Sequence, residues 1–508
     1  MLAKILSGAV VGLDAIPVTV EVDISSKSLP SFTIVGLPDK AVEESKERVR
    51  SAIKNSGAEF PNHRITVNLA PADLPKIGPA YDLPIALGML IASGQLAPVA
   101  DGALFVGELS LDGGLRHTNG ILPLALMGRD QMLADTLYVP APDAKEASVI
   151  KGLRIISVPT LLALFRHLSK SETLPVYPHT PFSEVSIPQG FEFDFADVTG
   201  QEHVKRVLEI AAAGGHNVFM QGPPGAGKTM LARTLPSILP AMTEEEAIEV
   251  TKVYSVTGNL SQGESLVKYR PFRSPHHTTS RIGLIGGGTR PMPGEISLAH
   301  RGVLFLDEFP EYPRHVLEAL RQPVEDGIVT ISRAVGTMRY PAKFMLVAAA
   351  NPCPCGNFHS VARPCTCLPG MVARYQKRIS GPLIDRIDLH VQVPVVPSHK
   401  LGIDMAPAEP SKAVQKRVQR ARDIQTKRFA GTKVTCNGEM STKLVREYCV
   451  LPSDAGDFLR QAVAKMGLSA RSYYRILKVS RTISDLAGAT HIRLQHVAEA
   501  LQYRPHEV

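Results

Sequence analysis

One glycine-rich segment constrains the fold of this chain more than any other feature of the sequence. It fits the pattern G-x-x-x-x-G-K-[ST] in full and consists of Gly222, Pro223, Pro224, Gly225, Ala226, Gly227, Lys228 and Thr229. An apolar run over 217–221 predicts a strand before it, and residues 228–235 predict a helix after it. In that setting backbone N–H groups turn toward phosphates, Lys228 reaches the β and γ phosphates, and Thr229 offers its hydroxyl to Mg²⁺. The segment therefore predicts a site for ATP and Mg²⁺.

Two further apolar runs are predicted to be strands that end in polar residues. Residues 303–306 precede Asp307 and Glu308, and residues 344–350 precede Asn351. Parallel sheets bind ligands at the carboxyl ends of their strands, so these side chains are expected beside the phosphate loop. Asp307 is predicted to hold the Mg²⁺ shell, Glu308 to orient and deprotonate water, and Asn351 to hydrogen-bond the γ-phosphate or the attacking water. Taken alone, an Asn-Pro pair is also typical of a turn.

The length of 508 residues leaves room for about three domains. Alternating strand-like and helix-like patterns predict an α/β domain over residues 1–167. The proline-rich composition of residues 168–192 predicts a linker. Residues 193–396 predict a second α/β domain with a doubly wound parallel sheet, and residues 397–508 predict a helical lid. In the first domain the expected elements are a helix over 39–56, which buries Val42, Val49 and Ile53 and ends before Gly57, and strands over 18–24, 32–35, 64–68 and 104–106.

Composition excludes several classes of protein. Hydrophobic residues make up 44% and charged residues 20%, which excludes a disordered or collagen-like chain. No stretch reaches the roughly 18 apolar residues of a membrane span. The alternation over 18–24 predicts a strand rather than a signal peptide, so we expect a cytoplasmic protein without a membrane partner. The 56 basic and 48 acidic residues give a net charge of +8, which permits nucleic-acid binding without requiring it.

Four of the six cysteines lie within residues 353–367 and form two C-x-C pairs. The pairs are Cys353 with Cys355 and Cys365 with Cys367. Two pairs of thiolates brought together by a short loop can make a tetrahedral Zn²⁺ site, and four thiolates leave no open position for catalysis. The spacing predicts a structural zinc site, and the alternative is four reduced cysteines without a metal. The two cysteines without such partners, expected in the core or on the surface, are Cys436 and Cys449.

Three further segments carry a resemblance to a known family. They read YRPFRSPHHTTSRIGLIGGG over 269–288, ISGPLIDRIDLH over 379–390 and LSARSYYRILKVSRTISDL over 468–486. With the phosphate loop and the LFLDE and AAANP runs, they make the chain resemble the AAA+ ATPases over essentially its whole length. The closer resemblance is to the magnesium-chelatase-like branch known as the ComM or YifB family. It implies a hexameric ring with ATP bound between subunits.

Two arginines gain roles from this resemblance. A cation is expected at the phosphate site, but taken alone Arg386 and Arg471 are ordinary surface arginines. On the matching positions, the resemblance makes Asn351 sensor 1, Arg386 the arginine finger that reaches into the neighbouring subunit's site, and Arg471 sensor 2. The family is linked to natural transformation, in which the ring acts as a DNA helicase that drives branch migration. DNA and recombination proteins are therefore the implied partners.

The amino-terminal domain resembles the proteolytic domain of Lon proteases. In the segment 75–80, Ala80 stands where the resemblance places the nucleophilic serine, and in the segment 118–122, Leu122 stands where it places the lysine. A Ser–Lys dyad needs a hydroxyl and a buried amine that acts as its base. Neither is present, so the domain is expected to serve as a structural or DNA-handling collar rather than as a protease.

Basic residues in two insertions are candidate DNA contacts. Residues 328–340 predict a hairpin whose turn is flanked by Arg333 and Arg339, and a glycine-rich insertion before Asp307 carries Lys268, Arg270, Arg273, His276, His277, Arg281 and Arg290. In related ring motors of the minichromosome-maintenance and chelatase type, two such insertions project into the pore, where basic residues would contact phosphates without reading sequence. The alternative is that the arginines are solvated hairpin edges. The two histidines have no acidic or thiol neighbours in sequence, so no metal is assigned to them.

A third basic segment covers residues 412–433. Its basic residues are Lys412, Lys416, Arg417, Arg420, Arg422, Lys427, Arg428 and Lys433, against the single acid Asp423. Val414, Val418 and Ala421 are predicted to form its buried stripe. The helix is interpreted either as a solvated face of the lid or as a second DNA contact.

The sequence thus favours an ATP-driven hexameric DNA motor with helicase or branch-migration activity. A second hypothesis is a chelatase-type ring that remodels a protein partner. The Lon-like domain and the basic hairpin residues speak against it. A third hypothesis, an ATP-dependent protease, is opposed by Ala80 and Leu122.

Overall fold

The computed structural model describes residues 2–25, 29–185, 190–261, 263–289, 291–333, 336–358, 363–396 and 408–504. Arg290, Ala334, Val335 and the start of the predicted lid lie outside these residues. The chain forms two compact units. The first unit comprises Met1–Ile187 and Glu244–Lys268, and the second comprises Pro188–Thr243 and Tyr269–Val508.

An eight-stranded mixed sheet forms the centre of the first unit, with the strand order β10-β9-β8-β5-β1-β2-β4-β3. The antiparallel pair β1–β2 lies at its middle, and β1, β5, β8 and β9 run parallel to one another. The strands, including the separate ribbon β6–β7, are β1 (Leu2–Val11), β2 (Asp14–Ser25), β3 (Ser31–Val35), β4 (Arg64–Ala70), β5 (Ala103–Phe105), β6 (Glu108–Leu109), β7 (Leu115–Arg116), β8 (Thr136–Pro140), β9 (Arg154–Val158) and β10 (Val176–Tyr177). All four predicted strands are present.

The helices that precede the second unit in the chain pack around this sheet. They are α1 (Lys40–Glu43), α2 (Ser45–Asn55), α3 (Asp82–Ala92), α4 (Ile121–Asp130), α5 (Ala144–Ala147) and α6 (Leu161–Leu168). The single helix predicted over 39–56 is wrong, because the chain forms α1 and α2 instead. At Glu44 the backbone tightens, and the Glu47 N–H donates to the carbonyl three residues back. The predicted buried face is confirmed, since Val42, Val49 and Ile53 are fully buried.

Part of the predicted linker belongs to the first sheet. Val176 and Tyr177 lie between two prolines but keep their own N–H groups, and as β10 they pair with β9. Farther along, the Lys268 ammonium donates to the carbonyls of Phe182 and Val185 at 2.8 and 3.1 Å. The residues up to 185 are therefore folded against the first unit rather than free between two domains.

The second unit contains a five-stranded, wholly parallel sheet with the order β12-β15-β18-β11-β19. Its strands and those of two hairpins, β13–β14 and β16–β17, are β11 (Val218–Gln221), β12 (Phe272–Arg273), β13 (Gly286–Gly287), β14 (Met292–Pro293), β15 (Val303–Leu306), β16 (Ile328–Arg333), β17 (Gly336–Pro341), β18 (Met345–Ala350) and β19 (Leu389–Gln392). The three strands predicted around the phosphate site and the predicted hairpin are all present. Every residue of β15 and β18 is buried, as a central parallel strand requires.

The remaining helices surround that sheet, with one exception. They are α7 (Glu202–Gly214), α8 (Lys228–Thr234), α9 (Glu244–Thr257), α10 (Arg281–Ile285), α11 (Glu295–Leu298), α12 (Arg314–Ala319), α13 (Arg321–Asp326), α14 (Pro369–Gln376), α15 (Gly381–Ile384), α16 (Ser411–Arg428), α17 (Thr442–Tyr448), α18 (Ser453–Lys465), α19 (Ala470–Leu486) and α20 (Leu494–Gln502). Residues from α16 to α20 share one apolar core with β11, β15, β18 and β19. The helical character predicted for the carboxyl-terminal part is thus confirmed.

The exception is α9, which follows α8 in the chain but packs on α4 of the first unit. Leu266 and Ile248 lie in the apolar core of that unit, beside Leu122. The Lys252 ammonium pairs with Asp14 at 2.6 Å. The segment Glu244–Lys268 is called the inserted segment below.

Within the described ranges, no helix has both the length and the apolar character needed to cross a membrane.

Candidate functional site

The phosphate loop connects β11 to α8, and its glycines are required by the backbone. A Cβ added to Gly222 would lie 2.2 Å from the carbonyl oxygen of Val393, so no side chain fits there. Gly225 and Gly227 have φ angles of +76° and +87°, in the region that glycine adopts without strain. These positions let the loop turn tightly at the amino end of α8, where helix N–H groups face an anion.

Lys228 lies at the centre of the loop and is largely buried. Its Nζ donates to the carbonyls of Gly222 and Pro223 at 2.6 and 2.9 Å, and to Oδ1 of Asn351 at 3.0 Å. Burial lowers the pKa of Lys228. The ammonium is thus bound by three neutral oxygens, which a charged phosphate oxygen can replace with a stronger partner. The structure brings Asn351 to the loop, as the strand register predicts.

Thr229 and Asp307 face each other across the same edge of the sheet. The Thr229 hydroxyl donates to Oδ2 of Asp307 at 2.6 Å, and the Glu308 N–H donates to Oδ1 at 2.9 Å. Mg²⁺ takes hard oxygen ligands and is usually bound through one or two carboxylates together with substrate phosphates. The adjacent hydroxyl and carboxylate are a suitable donor set for that ion.

Glu308 has a partner that the sequence analysis missed. Its Oε2 lies 3.1 Å from Nδ1 of His277, and about half of its side chain is exposed. Glu308 itself adopts a φ of +48°, an uncommon conformation for a residue with a side chain. His277 follows β12, and β12 pairs with β15, the strand that precedes Glu308. Only the strand order, not the spacing in the sequence, reveals this contact.

Arg386 and Arg471 are brought together on one carboxylate. Nη2 of Arg386 donates to Oε2 of Glu325, and Nη2 of Arg471 donates to Oε1 of the same residue at 2.8 Å. Arg386 is buried and also donates to the Pro382 carbonyl at 2.5 Å, whereas Arg471 is half-exposed. Among the described residues, neither arginine hydrogen-bonds to the phosphate loop or to Asp307.

The four clustered cysteines converge to a geometry that suits a metal ion. The Sγ atoms of Cys353, Cys355 and Cys365 lie 3.4 to 3.7 Å apart, and all four Sγ atoms, including that of Cys367, lie within 4.8 Å of one another. A tetrahedral site with Zn–S bonds of 2.3 Å has sulfur atoms about 3.8 Å apart. Backbone N–H groups of Asn357 and Thr366 lower the pKa of Cys355, whereas burial and the neighbouring thiols raise the pKa values of Cys365 and Cys367, so it is the geometry of the four Sγ atoms that indicates a metal site. The cluster fits one metal ion.

Three of the basic residues predicted to contact DNA have structural partners instead. Arg270 donates to the carbonyls of Pro240 and Arg301 at 2.7 Å each, and Arg273 forms a two-point ion pair with Glu295. Lys268 is bound by carbonyls of the first unit, as described above. The donors of these residues are bound by backbone and carboxylate oxygens, and their contact with DNA stays a prediction. The remaining basic residues of the two insertions that the structure describes with exposed side chains are His276, Arg281, Arg333 and Arg339, while His277 contacts Glu308.

The hairpins β13–β14 and β16–β17 lie against each other. The Tyr340 hydroxyl donates to the Pro291 carbonyl at 2.6 Å. A Cβ added to Gly286 would lie 3.0 Å from Ile331, and one added to Gly287 would lie 3.6 Å from Nη2 of Arg333. The register pairs Arg333 with Gly336 and Arg339 with Thr330, so the two arginines lie on opposite faces of the hairpin β16–β17, and Arg333 lies next to the glycines of β13.

The basic helix α16 divides into bound and exposed residues. The predicted stripe of Val414, Val418 and Ala421 is buried. Three arginines are tied to the protein, since Arg417 pairs with Glu209 and Glu409, Arg422 donates to the Ala212 carbonyl, and Arg428 pairs with Asp485. The basic residues of α16 on the surface are Lys412, Lys416, Arg420 and Lys427, and Lys433 is exposed beyond the end of the helix at Arg428.

The first unit has no Ser–Lys dyad at the positions that resemble Lon proteases. Ala80 is partly buried and Leu122 is fully buried. The Leu122 N–H donates to Oε1 of Glu146 at 2.8 Å, and the Ser255 hydroxyl of the inserted segment donates to the same atom at 2.6 Å. Burial raises the pKa of Glu146 to about 7. The polar groups here bind one another and join the inserted segment to α4.

Comparisons with known proteins agree with this arrangement. Residues 194–401 match the family described as magnesium chelatase, subunit ChlI. Residues 20–142 match the family described as subunit ChlI of Mg-chelatase, and residues 408–504 match its ChlI C-terminal family.

Full-length relatives are also found. Competence protein ComM of Haemophilus influenzae is 46% identical over 505 residues, which cover 99% of this chain and 97% of the relative. The uncharacterized protein YifB of Escherichia coli is 43% identical over 498 residues, covering 98% and 96% of the two chains. The magnesium-chelatase 38 kDa subunit of Cereibacter sphaeroides is 25% identical over 176 residues, covering 32% of this chain and 53% of its own.

Proposed function

This chain belongs to the ComM/YifB family of magnesium-chelatase-like AAA+ proteins, and from that membership we propose that it hydrolyses ATP to move along DNA. The proposed motor is a hexameric ring that acts as a helicase and promotes branch migration during natural transformation. The observation that carries the ATPase part is the pair of contacts Lys228–Asn351 and Thr229–Asp307, which join the ends of three neighbouring strands.

Each side chain has a distinct task in the proposed hydrolysis. Lys228 exchanges its carbonyl partners for phosphate oxygens, while Asn351 orients the γ-phosphate or the attacking water. Thr229 and Asp307 would hold Mg²⁺, which supplies positive charge beside the phosphates when bound. Glu308 takes the proton of the attacking water, because it directly follows Asp307 and its half-exposed carboxylate, which contacts His277, is accessible to water.

DNA binding is assigned to the surface formed by the two hairpins. Arg333 and Arg339 are both exposed, on opposite faces of the hairpin β16–β17, and Arg281 lies on the helix that leads into β13. Guanidinium groups on such a surface contact phosphates without selecting a sequence. Branched or single-stranded DNA should stimulate ATP hydrolysis. The double change Arg333→Ala and Arg339→Ala should reduce that stimulation and flatten the salt dependence of binding while basal hydrolysis persists. Unchanged stimulation would move the DNA contact to the surface lysines of α16.

The ring hypothesis assigns Arg386 to the site of a neighbouring subunit. An arginine supplied in this way is worth roughly 10³–10⁵ in rate. Arg386→Ala should therefore bind ATP but barely hydrolyse it. Mixing it with Glu308→Gln should restore part of the activity, because some interfaces then combine an intact Glu308 with an intact Arg386. If mixed rings form and remain inactive, the site is completed within one chain.

We assign Zn²⁺ to the cysteine cluster as a structural ion that stiffens the segment after Asn351. Purified protein should contain about one zinc per chain, because four thiolates fill one tetrahedral site. Cys353→Ser and Cys367→Ser should each lower the metal content, whereas Cys436→Ser, a change to a buried cysteine outside the cluster, should leave it unaltered. A metal-free protein, purified without chelators, would overturn this assignment.

A second candidate function is a ring that remodels a protein partner, favoured by the match of residues 194–401 to the magnesium-chelatase family. The deciding experiment is strand displacement on forked and four-way-junction DNA, with and without ATP. ATP-dependent displacement supports the DNA motor. Hydrolysis that DNA neither stimulates nor couples to displacement supports the remodelling ring.

A further inference from the structure

We infer that Glu325 competes with the phosphates of ATP for Arg386 and Arg471, and so sets how readily these two guanidinium groups reach the nucleotide. The inference rests on the proposed ATP hydrolysis. Glu325 is a positioning residue in this scheme, since it acts through the arginines and does not touch the substrate.

The geometry supplies the first argument. The two arginines come from distant parts of the chain, the loop after α15 and the start of α19, yet each donates to a different oxygen of the same carboxylate. Glu325 lies in α13, so three separate elements meet at one side chain. A guanidinium forms the same kind of charge-assisted hydrogen bonds with a carboxylate as with a phosphate. The N–H groups bound to Glu325 are therefore the ones that a phosphate would need.

Burial and charge supply the second argument. Burial alone would raise the pKa of Glu325, but Arg386, Arg471 and Arg475 lower it overall. The Nε atoms of three buried or half-buried arginines here have no hydrogen-bond partner among the described residues, and these are Arg386, Arg475 and Arg504. A buried donor without an acceptor is unfavourable. Of the two arginines on Glu325, Arg386 thus has a buried donor that no group in the described structure satisfies.

The surrounding contacts also show which of the two carboxylates a phosphate can displace from the arginines. Asp388, the other acid of the cluster, is buried and bound by Arg475 at 2.6 Å and by the N–H of Asn217 at 3.3 Å. Glu325 is half-exposed and is held only by the arginines in the described structure. A half-exposed pair is held weakly compared with a buried one, so a phosphate can displace Glu325 more easily than Asp388.

The test compares Glu325→Gln with Glu318→Gln, without DNA. Glu318 is a matched control, because it carries the same charge in the adjacent helix but pairs with Arg321. Removing the competing charge should lower the KM for ATP by about two- to fivefold in Glu325→Gln, a shift in line with a partly exposed ion pair. Glu318→Gln should keep the wild-type KM. An unchanged or raised KM in Glu325→Gln overturns the inference.

Two further variants separate competition from a structural role. Glu325→Asp retains the charge but shortens the reach, so its KM should lie between those of wild type and Glu325→Gln. A double variant with Arg386→Ala and Arg471→Ala serves as the background for a second comparison. Adding Glu325→Gln to this double variant should no longer lower its dissociation constant for ATP. A shift that persists without the arginines overturns the inference. If Glu325→Gln fails to fold, a KM in Glu325→Asp that is not below the wild-type value overturns it. A wild-type protein that hydrolyses no ATP contradicts the proposed function itself, whatever Glu325 does.

Discussion

The two units differ in whether the hydrogen-bond partners of their polar residues are exposed to a ligand or enclosed in the interior. At the sheet edge of the second unit, Lys228 is bound by neutral oxygens, and the half-exposed Glu308 contacts His277 at 3.1 Å, so a ligand can replace the partners of both. In the first unit, Glu146 accepts two hydrogen bonds in the interior. His117 is bound there by Asp143 at 2.5 Å and by Asn119 at 3.0 Å.

This difference teaches how to distinguish a reactive site from a structural polar cluster. The phosphate-loop site of the second unit and the polar cluster of the first unit both contain titratable groups with shifted pKa values, so a shifted pKa alone does not identify a reactive site. What separates them is whether the partners can be replaced by a ligand. Carbonyls of a glycine-rich loop can be replaced, whereas the Leu122 N–H and the Ser255 hydroxyl hold the inserted segment in place.

The largest expected effect tests the reactive side of the comparison. Glu308→Gln should lower kcat for ATP hydrolysis by roughly 10²–10⁴ while ATP still binds, because the group that takes the proton is lost. Lys228→Ala should weaken ATP binding itself, since the buried ammonium is removed. Radiometric hydrolysis and equilibrium binding measure the two effects. Normal turnover in Glu308→Gln would show that another group is the base.

The next effect tests the structural side. Leu122→Lys restores the lysine that a Lon-like dyad would need, but the site is fully buried and apolar. The first unit should lose on the order of 3 kcal/mol or more of unfolding free energy, as expected for an unpaired charge in a core. Denaturant unfolding, with Leu122→Met as a volume-matched control, measures the loss. A stable Leu122→Lys protein would mean that this interior tolerates an ionised group.

A smaller effect concerns pH. The pKa of Glu146 is raised from its usual 4.5 to about 7, so the folded form keeps a proton that the unfolded form has already released. The free energy of unfolding contributed by this group therefore falls by at most about 3 kcal/mol as pH rises from about 4.5, mostly below about pH 7, and is nearly level above that.

Glu146→Gln should remove this pH dependence, because its amide oxygen still accepts both hydrogen bonds and does not titrate. Unfolding temperatures measured between pH 5 and 8 give the two curves. Parallel curves for wild type and Glu146→Gln would show that another group causes the dependence.

The smallest effect is expected on the surface of the same unit. Asp14 pairs with Lys252 of the inserted segment, but its side chain is 83% exposed. Asp14→Asn should change the unfolding free energy by no more than about 1 kcal/mol, because exposed ion pairs contribute little. A larger loss, measured by denaturant unfolding, would show that charge rather than apolar burial holds the inserted segment.

Much of the reactive site could be predicted from the sequence, because its parts are local. The phosphate loop, the acids after β15 and Asn351 after β18 each follow a strand, and parallel strands end at one edge. The contacts His277–Glu308 and Glu325 with its two arginines could not be predicted, since they depend on which strands and helices become neighbours. The bound states of Arg270 and Arg273 were also missed, because a basic residue looks the same in sequence whether its donors are free or satisfied.

The position of the inserted segment in the sequence also constrains the order in which the two units can fold during translation. Chains generally fold domain by domain from the amino end as they emerge. Here the first unit lacks α9 and Leu266 until residue 268 has been made, after the phosphate loop and α8. The apolar core of the first unit beside α4 is therefore incompletely buried when the first part of the second unit has already been synthesised. Neither unit is a module that translation completes before the other begins.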